Sequence, residues 1–346
     1  MKVVIVGGGF CGSLVAKRLH SHHDIESTLI DSKPYFEYYP SLAKMLFKPS
    51  YLEKITVPFT SFLDESQVVT APMVSVTPEC VLTADATFPY DALVLSPGIQ
   101  YPIFLKSKKS VATIRSGAEL AALHDSVAKA KSVVIIGGGL IGTELAAEFA
   151  TRMPELKVTM VHVMPRLLER NSLSVSRYAL RFLEDRGVSV IFGEKVVSHH
   201  GQTFTTDAGR EISADLGFWC AGIKADPSFL EGFSEEVVGE HGYLVVDEHL
   251  RLKGYPKVFV GGDLVGISEE KNAAHANTHA GVIIENIRRM QQKKSLVSYR
   301  SRHEPVDISL GSWDGIIIVP PFVLVGFIPG IVKQAVEKIA VARLRL

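Results

Sequence analysis

One pattern occurs twice in this 346-residue chain, and it narrows the folds open to it. Residues 3–6, Val-Val-Ile-Val, run into Gly7-Gly8-Gly9-Phe10-Cys11-Gly12; residues 133–136, Val-Val-Ile-Ile, run into Gly137-Gly138-Gly139-Leu140-Ile141-Gly142. Each glycine stretch is followed by an Ala/Leu-rich segment of helical character and then by another apolar run, at residues 27–31 and 157–162. Strand, glycine turn, helix and strand make a βαβ unit, and an internal repeat of that unit predicts two nucleotide folds in one chain.

The glycine spacing has a chemical reason. A pyrophosphate must come close to the backbone, and glycines permit that approach while the helix start supplies free N–H groups and partial positive charge. Gly7, Gly9 and Gly12 meet the spacing in the first unit, with Gly8, Phe10 and Cys11 between them; Gly137, Gly139 and Gly142 meet it in the second. Asp31 ends the second strand of the first unit, where a carboxylate accepts from ribose hydroxyls. The matching place in the second unit holds His162, with Arg166 and Arg170 soon after. No carboxylate stands there to repel a 2′-phosphate and the nearby cations can attract one, so NADPH is expected to be accepted, alongside NADH.

Three further strand-turns read from the sequence: residues 88–98, ending in Pro97-Gly98; 216–222, ending in Gly222; and 257–263, ending in Gly-Gly-Asp263 before a helix at about 272–293. Asp263, after two glycines at a strand end, is placed to reach a bound polyol. The expected fold class is α/β, with two Rossmann-like dinucleotide-binding domains. Residues 1–103 and 223–303 are expected to form one domain, interrupted by 104–222, with a small C-terminal segment at 304–346.

Lysines and arginines number 37, as do aspartates and glutamates, so no general field attracts nucleic acid. The three cysteines, Cys11, Cys80 and Cys220, are far apart. They offer no disulfide framework, no metal spacing and no dithiol redox pair. The chain opens directly on a strand-like run, so no leader is expected and a cytoplasmic location is.

With these motifs together, the chain resembles the two-dinucleotide flavoprotein superfamily. Within it, it is similar to the apoptosis-inducing-factor-like, ferroptosis-suppressor class of NAD(P)H:quinone oxidoreductases. The resemblance lies in the two glycine loops, in Gly-Thr-Glu-Leu-Ala-Ala-Glu from Gly142, in Val-Asp-Glu-His-Leu-Arg from Val246, in Val-Phe-Val-Gly-Gly-Asp from Val258, and in Ser-Leu-Gly from Ser309. It implies that the first loop and Asp31 hold FAD. Lys33 would lie near the adenosine end, Lys44 would face the cofactor, and Met73 would lie on the strand along the adenine. Pro97 and Gly98 would form the turn beside the flavin, and Asp263 would meet the ribitol chain. The second loop and Gly222 would serve NAD(P)H. Glu144, Lys271 and His279 fall on positions near the flavin and nicotinamide. The implied reaction passes hydride from NAD(P)H to flavin N5 and two electrons on to a quinone or another small acceptor. Reduction of a small redox protein such as a ferredoxin, and a NADH sensor acting through assembly state, stay open as alternatives.

Residues 315–332 carry no charge, but Pro320, Pro321 and Pro329 oppose a membrane-spanning helix. Strands and a turn packed on the flavin domain are expected there, then a helix after Gly330. Val332, Val336, Ile339 and Leu344 are expected on one side of it, with Lys333, Lys338, Arg343 and Arg345 supplying positive charge. Such a helix suits a membrane surface, giving peripheral attachment, or a core or homodimer contact.

Overall fold

The computed structural model describes residues 1–103, 105 and 111–345. Lys2–Val6 lies in the middle of a five-stranded sheet, between Glu26–Asp31 and Ala92–Leu95, with Val68–Thr70 and Val258–Val260 at the two edges. Every pairing in this sheet is parallel. Its central strands are apolar without alternation because both faces are covered, and residues 3–6 and 92–95 are all buried.

A second sheet repeats the plan. Ser132–Ile136 lies between Leu216–Trp219 and Lys157–His162, with Val111–Thr113 and Ser189–Phe192 at the edges, again all parallel. The chain therefore leaves the first sheet after Leu95, builds the second, and returns to the first at Val258. The expected boundary at 104 falls outside the described residues. The fold is α/β with two Rossmann-like cores.

Three helices frame the glycine loops. Phe10–His20 and Leu140–Arg152 start directly after Gly9 and Gly139, so that Gly12 and Gly142 lie in their first turns. Ala273–Gln291 packs across Phe10–His20 and is capped by Asn272, whose Oδ1 accepts from His275 N–H at 2.9 Å.

The C-terminal segment is a three-stranded antiparallel sheet, Val306–Leu310, Asp314–Val319 and Phe322–Gly326, followed by the helix Phe327–Arg345. The helix starts before Gly330, earlier than its sequence pattern suggests. Pro329 sits in its first turn, where a missing N–H breaks no helical bond. Among the described residues no helix is long and apolar enough to cross a membrane.

The C-terminal helix keeps three of the four expected face residues together and turns them outward, but Leu344 and Lys333 depart from the expected grouping. Val332, Val336 and Ile339 are exposed, Ile339 to 65%, while Leu344 is buried and Lys333 is only 8% exposed. Polar partners inside decide this orientation, and they belong to the functional site.

Candidate active site at two glycine loops

The first glycine loop is fixed by close approach. Gly7 has φ of +93°, and a Cβ added there would lie 2.2 Å from the Ser96 carbonyl oxygen; one added at Gly12 would lie 1.8 Å from the Gly7 oxygen. Only glycine fits either place. The loop is thereby pressed on the Ser96-Pro97-Gly98 turn that follows Ala92–Leu95. The second loop repeats both features at Gly137, against the Cys220 carbonyl, and at Gly142, against Gly137. Gly222 follows in that second turn.

At Gly9 and Gly139 the situation reverses, because an added Cβ would meet nothing within 4 Å. Each lies in open space at a helix start, where the first N–H groups have no helical partner. Two such cradles fit two pyrophosphates.

Asp31 faces the first cradle. Its Oδ2 accepts from Gly8 N–H at 2.6 Å and its Oδ1 from Lys33 N–H at 2.8 Å. This pins the carboxylate at the loop with acceptor capacity left for a ribose. The Lys33 side chain is turned to the buried Glu37 at 2.7 Å, which in turn accepts from Gly117 N–H. Met73 starts the strand Met73–Val76 and is half-buried.

Cys11 lies within the loop sequence, but its side chain packs under the sheet against Gly261. Burial, and then Asp263, push its thiol up to about 12, and burial pushes Cys220 up to about 12 as well. Neither is a thiolate, and all three cysteines are unpaired.

Asp263 follows Gly261-Gly262 at the end of Val258–Val260. Burial pushes its carboxyl up, while Lys271, His279 and His275 pull it down. His279 supports this turn from below. It is 1% exposed, and its Nδ1 accepts from Gly262 N–H at 3.2 Å. The ring hydrogen therefore belongs on Nε2, which stands 2.8 Å from Glu269. Glu269 also accepts from Tyr299 and Ser301 hydroxyls at 2.7 Å. Burial raises the Glu269 carboxyl, but these donors outweigh it and hold it at about 2. Lys271 donates to the carbonyls of Val265 and Ile267, closing the loop after Asp263.

Glu144, on the first turns of Leu140–Arg152, is ion-paired with Lys333 and accepts from Ser309 N–H at 2.9 Å. Lys44 pairs with Glu337 at 2.7 Å, and Ser41 and Tyr51 donate to the same carboxylate. Burial raises Glu337, while Lys44 and these hydroxyls pull it below the usual range. Lys333 and Glu337 are thus buried with charged and hydrogen-bonding partners, Glu144 and the Asp307 carbonyl for the lysine and Lys44, Ser41 and Tyr51 for the glutamate. Asp307 lies beside them, with one carboxylate oxygen buried and unpartnered.

Sequence patterns missed Lys333 as an inward group, together with Glu337 and Asp307. A lysine and a glutamate four apart in a helix read as an exposed pair. The signal against that was the more apolar set at 328, 331, 332, 336 and 339 on the opposite side.

A cleft of about 210 Å³ runs between the helices Phe10–His20, Ala273–Gln291 and Phe327–Arg345, lined by Phe10, Leu14, Phe36, Asn277, Ile339 and Ala340 among others. It begins at Phe10, directly after Gly9, and at Asn277, two residues before His279.

Two glycine cradles, each closed by its own sheet, separate this chain from single-nucleotide folds. Residues 1–281 match the family model described as pyridine nucleotide-disulphide oxidoreductase. The chain belongs to that family. It is an oxidoreductase that uses FAD and NAD(P)H, and both cradles fit these dinucleotides. The enzyme is 26% identical over 363 residues to apoptosis-inducing factor homolog B of Dictyostelium discoideum, covering 94% of this chain and 91% of the relative. It is 29% identical over 332 residues to ferroptosis suppressor protein 1 of Xenopus tropicalis, covering 91% and 88%. The sulfide:quinone oxidoreductase structure from Aquifex aeolicus matches with a TM-score of 0.85 at 18% identity, over 99% of this chain and 91% of that one. At that identity the likeness is one of fold.

Proposed function

We propose that this enzyme is an NAD(P)H:quinone oxidoreductase, with FAD in the cradle of residues 1–103 and 223–303 and the nicotinamide cofactor in that of 104–222. The observation that carries it is the cleft between Phe10 and the C-terminal helix. Its walls are mostly apolar, with Asn277 and Arg343 as the polar members; it starts beside the first glycine loop, and its outer wall includes Val336 and Ile339, which belong to an exposed apolar face. A lipid-soluble ring fits such a passage; a charged docking protein does not. The Aquifex aeolicus enzyme, which shares the fold, is named for quinone as its substrate.

The bound flavin supplies acceptance of a hydride from NAD(P)H and delivery of two electrons to the acceptor. The balance is NAD(P)H plus quinone plus one proton giving NAD(P)⁺ plus hydroquinone. The chain's own residues orient and exclude. Gly9 and Gly139 leave room for the phosphates, and Asp31 fixes the first ribose. Asp263 is held at the polyol position by His279 and Glu269. Glu144, tied to Lys333 and Ser309, presents a positioned carboxylate where the second fold meets the C-terminal segment. No dithiol is required for a quinone acceptor, in keeping with three unpaired cysteines.

The exposed face continues over Trp313, Phe322, Leu324, Phe327, Ile328 and Ile331, with Phe322 exposed to 70% and Ile328 to 68%. Lys338 and Arg343 are exposed on the same helix. An apolar face with basic residues suits a lipid surface, where quinone is dissolved.

Ala340→Trp tests the cleft by filling it. Reoxidation of the reduced flavin by quinone should slow by about tenfold or more, about 1.4 kcal/mol in the barrier. Reduction of the flavin by NADH should slow far less. Equal slowing of both half-reactions, or no slowing of reoxidation, contradicts the assignment of the cleft to the acceptor.

A further inference from the structure

The second strand of the nicotinamide fold ends on His162, so the strand-end carboxylate that marks an unphosphorylated ribose is missing from its usual place. The structure supplies one from elsewhere. The loop from Val163 to Asn171 folds back on the second glycine loop, where Leu168 N–H donates to the Gly138 carbonyl at 3.0 Å. Leu167 and the His162 ring both lie within 2.8 Å of where a Gly138 Cβ would stand. Leu168 has φ of +51°, the turn that carries the chain back over the cradle. This geometry brings Glu169 to the strand end, with its Oε2 3.4 Å from His162 Nε2 and its side chain 31% exposed.

Two cations stand nearby, each turned to partners of its own. Arg166 donates to the carbonyls of Asn171 and Glu169, so its guanidinium is spent on holding the loop. Arg170 turns to Glu270, 3.6 Å away at the head of the helix Ala273–Gln291. A ribose at the cradle therefore meets a carboxylate acceptor at the strand end, with Arg166 held on the loop's own carbonyls and Arg170 standing exposed beside Glu270.

We infer that Glu169 selects NADH over NADPH. Its carboxylate accepts from the 2′-hydroxyl of the adenosine ribose, and it repels a 2′-phosphate. The inference rests on the assignment of the second glycine loop to the nicotinamide cofactor.

Binding at equilibrium tests it without turnover. The FAD-loaded protein is titrated calorimetrically with NAD⁺ and NADP⁺, and with adenosine 5′-monophosphate and adenosine 2′,5′-bisphosphate. The expected result is that each 2′-phosphorylated ligand binds about tenfold or more weakly than its counterpart. In Glu169→Gln the gap should narrow by about tenfold, mainly because the phosphorylated ligands bind more tightly. A merely structural role for Glu169 would weaken both members of each pair and leave their ratio unchanged. Equal Kd values in the wild type, or an unchanged ratio in the variant, overturn the inference alone. Failure of every adenine ligand to bind overturns it together with the assignment of the second loop.

Discussion

At the residue scale, the groups that sequence could name are those whose chemistry is local. Gly12 is recognisable because a tight strand-helix turn demands it, and the structure shows the reason in its contact with Gly7. Asp263 directly follows two glycines at a strand end, and Asp31 ends the strand that follows the first glycine-loop helix. Asp307, by contrast, is an ordinary residue of an edge strand until Lys333 and Glu144 are brought beside it from far along the chain. Burial pushes its carboxyl up to about 6, Lys333 pulls it down and Glu144 pushes it up. A folded value above the ordinary 3.8 means that the native state holds an extra proton between those pH values. Stability is therefore full below the unfolded value and falls as pH rises through about 6. Asp307→Asn removes the buried charge, so it should be more stable than wild type at pH 8, by on the order of 1–3 kcal/mol. The gain should shrink towards pH 4. Melting temperatures at the two pH values check this, and a gain that does not depend on pH contradicts it.

At the scale of elements, the parallel strands were legible because continuous β-branched runs between glycines have few other readings. The C-terminal helix was legible as a helix, but its sequence left open which side faces the protein. Amphipathic reasoning places apolar residues inside, and here Lys333 and Glu337 go inside because Glu144, Lys44, Ser41 and Tyr51 receive them. Those partners come from separate segments far along the chain, so no local pattern announces them. The outcome is an apolar face left outside on both the helix and the strand Phe322–Gly326. Phe322→Asp combined with Ile328→Asp places charge on that face away from the cleft. Co-sedimentation with anionic phospholipid vesicles should fall by about tenfold or more, since two apolar side chains are withdrawn from lipid. Equal sedimentation of variant and wild type contradicts a lipid-facing surface.

At the scale of the whole molecule, the repeat in sequence became a repeat in space: two parallel sheets, each with a glycine cradle pressed on a neighbouring turn. The return of the chain to the first sheet at Val258 was foreseeable, because Val-Phe-Val-Gly-Gly-Asp repeats the strand-turn pattern. The closing of a cleft by the C-terminal helix against the first glycine-loop helix was not, since that contact joins residues over 300 positions apart. If electrons travel from the second cradle to the first and leave through this cleft to a quinone, the two half-reactions can be watched separately at the flavin. Anaerobic stopped-flow absorbance of the FAD-loaded enzyme, mixed with NADH and then with a short-chain quinone, does so. The expected result is rapid bleaching of the flavin band by NADH and rapid recovery on addition of quinone. A flavin that NADH bleaches but quinone does not restore would contradict the proposed route.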